Sequence, residues 1–251
     1  MAIYIGTSGF SYDDWIGLFY PETLQRSEWL RYYSQHFNTT ELNVTFYRMP
    51  FKKAFSSWYN KTPEKFLFSV KGSRYITHIK KLNDVDDAVE YFFSRVSILK
   101  EKLGVILWQL PPSLKPEIKT FSRFLRLLNN HGDNVRHAFE FRNNAWINND
   151  AIIKLITDTG ATVCISDWKD QQTMFIPGFS FYYIRRHGPE NAPLYSGLYT
   201  SKNIHSDART IQTQMKNMDV FVYYNNDVSG CAIQNAFMLQ KALGLKAKHL
   251  Y

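Results

Sequence analysis

The chain has 251 residues, 45% of them hydrophobic and 16% aromatic, which suits a packed core rich in Phe and Tyr and excludes an intrinsically disordered chain. Thirty Lys and Arg against 22 Asp and Glu give a net charge of +8, which favours anionic partners over cationic ones, although the excess is dispersed and forms no dense basic tail. No stretch approaches the roughly 18 apolar residues of a membrane span, and Cys164 and Cys231 match no metal or redox spacing, so the expectation is a cytoplasmic protein with two buried free thiols and no membrane association.

A first strand is expected at Ile3 to Ile5, then a helix in SEWLRYYSQHF. A second strand at Thr39 to Asn43 precedes the helix KKAFSSWYN, and a third at Phe66 to Lys71 precedes DVDDAVEYFFSRVSILKEKL. The fourth, Val105 to Gln109, leads into EIKTFSRFLRLLNN, and the fifth, Ala138 to Arg142, into NDAIIKLITDT. A sixth strand at Thr162 to Ser166 and a seventh at Phe181 to His187 are followed by SDARTIQTQMKNM, an eighth strand at Val220 to Asn225, and a last helix in GCAIQNAFMLQKAL. Strand then helix, repeated about every 31 residues, is the size of one βα unit, so the spacing predicts a single TIM-type (β/α)8 barrel over residues 1–251. The segment DWKDQQTMFIPGFS, with Pro177 and Gly178, leaves no room for a full helix. The barrel is therefore expected to be irregular, its helix between strands six and seven lost or shortened. An open doubly wound sheet is disfavoured because the first turn, GTSGFSYDDW, lacks a G-x-G-x-x-G pattern.

The strands start apolar and end polar: Thr7 and Ser8, Glu41 and Asn43, Lys71, Gln109, Glu140 and Arg142, Ser166 and Asp167, Arg185 and His187, Asn225 and Asn226. In a barrel these ends converge on one mouth, where active sites are built. In HAFEFRNNAW the two-residue period turns His137, Phe139 and Phe141 to one face and Ala138, Glu140 and Arg142 to the other.

The motifs GTSGFSYDDWIGLFYP, EWLRYYSQHFNTTELNVTFYRMP, FLFSVKGSRYITH, ILWQLPPSLK, FEFRNNAW, YIRRHG and VYYNNDVSGCAIQNA follow one another over nearly the whole chain. Together they resemble the domain of unknown function 72 family, also called YecE-like. The resemblance implies a TIM-type barrel and a polar set that falls on Glu41, Asn43, Tyr47, Lys71, His78, Gln109, Glu140, Arg142, Trp146, Arg185, His187, Asn225 and Asn235, but it implies no reaction. Arg186 stands where the family usually has an apolar residue. It lies on the face opposite Arg185 and His187 and is expected to reach solvent.

Glycoside hydrolysis by Glu41 and Glu140 requires one protonated carboxyl group near neutral pH, whereas neighbouring cations keep Glu140 ionised. The metal-ligand residue types His78, His187, Glu41, Glu140 and Asp167 lack His-x-His, H-E-x-x-H or Cys-cluster spacing and share their mouth with three cations, so no cofactor is predicted, a divalent metal held by these residues being the lesser alternative. Recognition of an anion suits the residues best, with Lys71, Arg142 and Arg185 supplying charge and Asn43, Tyr47, His78, Gln109, Trp146 and Asn225 completing the binding set. Glu41, His187 and Glu140 are the catalytic candidates, the first two for proton transfer and Glu140 to hold the cations. The ordinary reading of a lone histidine such as His78 is a hydrogen-bonded structural residue. A phosphate is expected near the RRHG and NNDVSG turns, where Gly188, Gly230 and the start of the last helix would offer N–H groups.

The expected activity is that of an enzyme, a hydrolase or lyase, on a small phosphorylated or otherwise anionic substrate. A nucleic-acid-binding or phosphodiester-cleaving barrel using the same mouth is the alternative, with Phe10, Tyr12, Trp15, Tyr20, Phe46, Tyr47 and Trp146 available for stacking or simply for packing the loops. A non-catalytic small-molecule binder would need the same residues.

Overall fold

In a computed structural model, which describes residues 1–131, 135–168 and 171–245, the expected βα repeat is realised strand by strand. Lys169 and Asp170, in the connection after the sixth strand, and the basic C-terminal Lys246 and Lys248 lie outside the described residues. The order is β1 (Ile3–Thr7), α1 (Trp29–His36), β2 (Thr39–Leu42), a short α2 (Val44–Tyr47), α3 (Lys52–Lys61), β3 (Leu67–Lys71), α4 (Asp86–Val96), β4 (Leu103–Leu110) and α5 (Ile118–Asn129). It continues with β5 (Arg136–Phe141), α6 (Asp150–Asp158), β6 (Thr162–Trp168), a two-residue β7 (Gln171–Gln172), β8 (Phe181–Arg186), α7 (Ser201–Gln214), β9 (Asp219–Tyr224) and α8 (Cys231–Ala242).

Eight strands pair in parallel in the order β1-β9-β8-β6-β5-β4-β3-β2, and β7 folds back antiparallel on β6. The ring nearly closes between β1 and β2, where Ser8 bridges Glu41, Gly9 N donates to Glu41 O at 2.8 Å and the Asn38 side chain braces both Ile3 O and Ile5 N. Gly6 makes this seam possible, because a Cβ there would lie 2.1 Å from Thr39 O. The protein is thus a TIM-type barrel.

No helix joins β6 to β8 among the described residues, as the Pro177-Gly178 segment requires. The helix before the last strand starts at Ser201 rather than Ser206, because Thr200 and Asn203 cap it reciprocally. The segment after α4 turns at Lys100, whose φ of 49° interrupts the continuous helix expected there.

Outward-facing side chains such as Trp108, Phe139 and Phe141 pack with helix residues Phe121 and Phe124. Inside the barrel, Val105, Leu107, Ala138, Cys164, Phe181, Tyr183, Phe221 and Tyr223 form a separate apolar plug, with Tyr4 stacked on Phe221 at 4.6 Å. Water is excluded below the mouth, so charges set on this plug must satisfy one another. No helix among the described residues is long and apolar enough to cross a membrane.

Candidate active site at the barrel mouth

Strand alternation places Glu41, Glu140, Ser166 and Arg185 on the inward side at the ends of β2, β5, β6 and β8. Arg185, only 1% exposed, is saturated by two fully buried carboxylates. Its Nε and Nη2 donate to the two oxygens of Glu41 at 3.0 and 2.8 Å, and its Nη1 donates to Glu140 at 2.8 Å. Glu41 also accepts from Ser8 Oγ at 2.7 Å and Tyr183 OH at 2.6 Å, while Glu140 accepts from Arg142 Nη2 at 2.8 Å and Ser166 Oγ at 3.0 Å. Burial alone raises both carboxyl pKa values, but the guanidinium groups outweigh it and hold both below the usual range, Arg185 acting on Glu41 and Arg142 with Arg185 on Glu140. Neither is a protonated acid at neutral pH, which speaks against the two-carboxylate route of glycoside hydrolysis.

His187 is buried with both ring nitrogens engaged. Its Nε2 lies 3.0 Å from Arg185 Nη1 and 3.2 Å from Arg142 Nη2, and its Nδ1 lies 3.3 Å from Asp167 Oδ1. Guanidinium donors require a lone pair, so the network assigns the proton to Nδ1, facing Asp167. Burial, reinforced by Arg185 and Arg142 against the pull of Asp167, lowers this pKa to about 4. Asp167 also accepts from Tyr199 OH. Arg185 and His187, expected to meet the substrate's charge and to carry a proton, thus have their polar atoms engaged by the protein itself.

Arg142 and Lys71 differ. The Arg142 guanidinium carbon sits 3.6 Å above the Trp168 ring, one nitrogen binds Glu140, and Nε and Nη1 have no partner among the described residues. Lys71 Nζ lies 4.3 Å over the Phe46 ring and makes no hydrogen bond or ion pair among the described residues. Its burial, and secondarily Arg185, lower its pKa to about 7 against the opposing pull of Glu140 and Glu41. His78 packs edge-on against the same Phe46 at 5.0 Å, with Nε2 3.5 Å from Gln109 Nε2 and Nδ1 2.8 Å from Thr77 Oγ1. Burial first, then Lys71, pushes His78 down to about 4. Asn43, beside this group at the start of α2, leaves Oδ1 without a partner among the described residues.

Two other expected residues keep looser positions. Asn225 is buried just past β9, two residues beyond the inward Tyr223, and Tyr47 is 75% exposed. Trp146 does not join the cluster: its ring stacks on outward-facing Phe141 at 5.1 Å and its Nε1 donates to Leu114 O at 2.7 Å, so it packs a loop. Trp15 and Tyr20 are likewise buried and unavailable for stacking on a ligand. Asn235 ties Asn226 to the Tyr199 backbone. Arg186 does not reach solvent but forms a two-point ion pair with Asp207 of α7. The expected phosphate cradle is also overturned, since Gly188 N donates to Tyr199 OH, Ser229 N to Asp14 and Gly230 N to Asp227 O.

Sequence reasoning missed Tyr183, Trp168 and Tyr199. Tyr183 and Trp168 carried a signal, each lying two residues from a site position on the same strand face, but Tyr199 sits in an irregular loop and carried none. Asp227 was also passed over as a site group. Burial raises its carboxyl pKa well above the usual range, and Oδ1 has no partner among the described residues.

A cavity of about 690 Å³ opens beside β6, β8 and α7, with Asp167 and His187 of the mouth in its wall together with Thr173, Arg186, Tyr199 and Asp207. It adjoins the connection that lacks a helix. Its Arg186–Asp207 pair is already matched, and Asp167 and His187 join its wall to the mouth. Among the described residues no His, Cys, Asp and Glu side chains gather as a metal-binding group of three or more.

Residues 4–250 match the family model described as "Protein of unknown function DUF72". The chain is 33% identical over 139 residues to the UPF0759 protein YecE of Escherichia coli, a match covering 54% of this chain and 48% of that protein. It is 31% identical over 150 residues to the UPF0759 protein YunF of Bacillus subtilis, covering 57% and 52%. The matched region thus spans about half the length of these curated relatives. Among solved structures, a DUF72 family protein of Enterococcus faecalis superposes with a TM-score of 0.81 at 20% identity, over 97% of this chain and 96% of that one. A second crystal structure of that protein gives a TM-score of 0.77 at 20% identity, covering 98% of both chains. At this identity the likeness establishes the fold.

Proposed function

The chain belongs to the DUF72 family of proteins of unknown function, and from that membership we propose that its barrel mouth is the active site of an enzyme that holds a small anionic substrate through Arg142. The observation that carries this reading is the pair of buried guanidinium nitrogens, Nε and Nη1, without a partner among the described residues. A buried donor left unmatched costs on the order of 1–3 kcal/mol, more when charged, and a carboxylate or phosphate oxygen removes that cost. Trp168 fixes the guanidinium plane from one side and Glu140 fixes one nitrogen, so the remaining donors are preorganised.

An enzyme is favoured over a passive binder by perturbed titratable groups gathered around the same point, foremost Lys71 and His78. A nucleic-acid strand is a poorer match, because Arg142 is buried and Trp15, Tyr20 and Trp146 are committed to packing. The test is calorimetric titration with inorganic phosphate and a panel of small carboxylates and phosphomonoesters, on wild type and Arg142→Met. Saturable binding that weakens by about 10- to 100-fold in the variant is expected, from the usual size of a charge-assisted contact. Equal binding by both proteins, or strongly salt-dependent binding of oligonucleotides instead, would overturn the reading.

A further inference from the structure

We propose that Lys71 is a nucleophilic amine that forms a protonated imine with a small anionic aldehyde or ketone, the anionic group being held by Arg142. The proposal rests on the reading of the mouth given above and deepens it by naming the substrate class.

Lys71 and Lys102 are both buried but are met differently by the protein. Lys102, 4% exposed, donates from Nζ to Tyr59 O at 2.7 Å, Thr62 O at 2.7 Å and Thr62 Oγ1 at 3.2 Å. That is how a structural ammonium is accommodated. Lys71 is 8% exposed, yet its Nζ meets only the face of Phe46, with no oxygen within hydrogen-bond or ion-pair reach among the described residues. Two carboxylates stand in the same mouth, but Arg185 and Arg142 occupy them. No anion among the described residues contacts the amine to fix it as an ammonium, and burial with Arg185 and Arg142 outweighs the longer-range pull of Glu140 and Glu41. Desolvation beside other cations is the arrangement that activates a lysine toward carbonyl carbon.

The neighbours also suit the substrate. Arg142 reaches in from β5, and β4 alone separates that strand from β3, which carries Lys71. A neutral His78 shares the Phe46 ring with the lysine, and Gln109 lies 3.5 Å from His78, so both offer hydrogen-bonding groups to a carbonyl oxygen. In the reaction, the Nζ lone pair adds to the carbonyl carbon and the π pair moves to oxygen, which takes a proton from the new ammonium. The resulting carbinolamine loses its hydroxyl as water after gaining one more proton from solvent. Amine, carbonyl and one proton become iminium and water, with no change in oxidation state.

The test is reductive trapping. Wild-type protein is incubated at pH 7 with sodium cyanoborohydride and, separately, glyoxylate, pyruvate, dihydroxyacetone phosphate or glyceraldehyde 3-phosphate, and the modified lysines are located by peptide mass spectrometry. At that pH a lysine of pKa near 7 is neutral roughly a thousandfold more often than an ordinary one, so labelling of Lys71 at least about tenfold above any other lysine is expected. The adduct should be absent from Lys71→Met, suppressed in Arg142→Met, and absent from Lys102, the buried control. Should phosphate or a non-carbonyl carboxylate bind through Arg142 while no probe labels Lys71 above the surface lysines, the imine proposal is overturned and the anion site stands. If no anion binds and none of the probes selects Lys71, both readings fall. Labelling with trinitrobenzenesulfonate against pH gives a check independent of carbonyl choice: a Lys71 midpoint near 7 supports the proposal, and one near 10 contradicts it.

Discussion

The two ends of the barrel use the same residue types to opposite effect. At the closed end, Arg136 lies over Phe181 and Phe221 and pairs with Asp219 at 2.7 Å, with side chains 39% and 25% exposed to water. At the mouth, Arg185 is sealed between Glu41 and Glu140, while Arg142 leaves Nε and Nη1 unmatched and Lys71 Nζ meets the Phe46 face without a hydrogen bond or ion pair among the described residues. The difference is one of solvent: an exposed pair is cheap to make and cheap to lose, whereas a buried one commits its neighbours. Charge left unmatched in the second setting is free energy held in reserve for a ligand.

The largest effect is expected from Arg185→Met. It leaves two buried carboxylates without their shared cation and should cost about 3–5 kcal/mol, read by urea unfolding, or prevent folding altogether. Next in size is Lys71→Met, which should stabilise the protein by roughly 2–4 kcal/mol at pH 6, because it removes a desolvated ammonium met by the Phe46 face but by no carboxylate or other acceptor among the described residues. The sign follows from a folded pKa of about 7, below the ordinary lysine value: wild type loses stability as pH falls from about 10 to 7, so the variant's advantage should shrink as pH rises through that window.

The fold was legible because its signals are local and periodic. The polar strand ends and the Pro177-Gly178 break can be read without knowing any partner, and so can the inward pairing of Glu140 with Arg142 two residues later. Saturation of Arg185 was not legible, since it depends on Glu41, 144 residues away in sequence, arriving across the barrel. The phosphate cradle failed for the same reason: Asp14, 215 residues distant, takes the N–H of Ser229. Trp146 was misplaced because a tryptophan beside a site motif looks the same in sequence whether it turns to the mouth or to the helices.

Two smaller effects refine the contrast. Trp168→Ala removes the ring beneath Arg142 and should weaken anion binding by about tenfold, measured by the same titration, with stability changed less than by Arg185→Met. At the closed end, Arg136→Ala should cost under about 1 kcal/mol, after allowance for solvent screening, and the loss should fade in high salt. A large, salt-insensitive effect there would erase the distinction between the two ends.

Binding of an anion by the unmatched donors of Arg142 is read from the dissociation constant of a small carboxylate or phosphomonoester for wild type and Arg142→Met side by side. A saturable site in wild type, weakened about 10- to 100-fold in the variant, is the predicted result. Indistinguishable constants for the two proteins would contradict it.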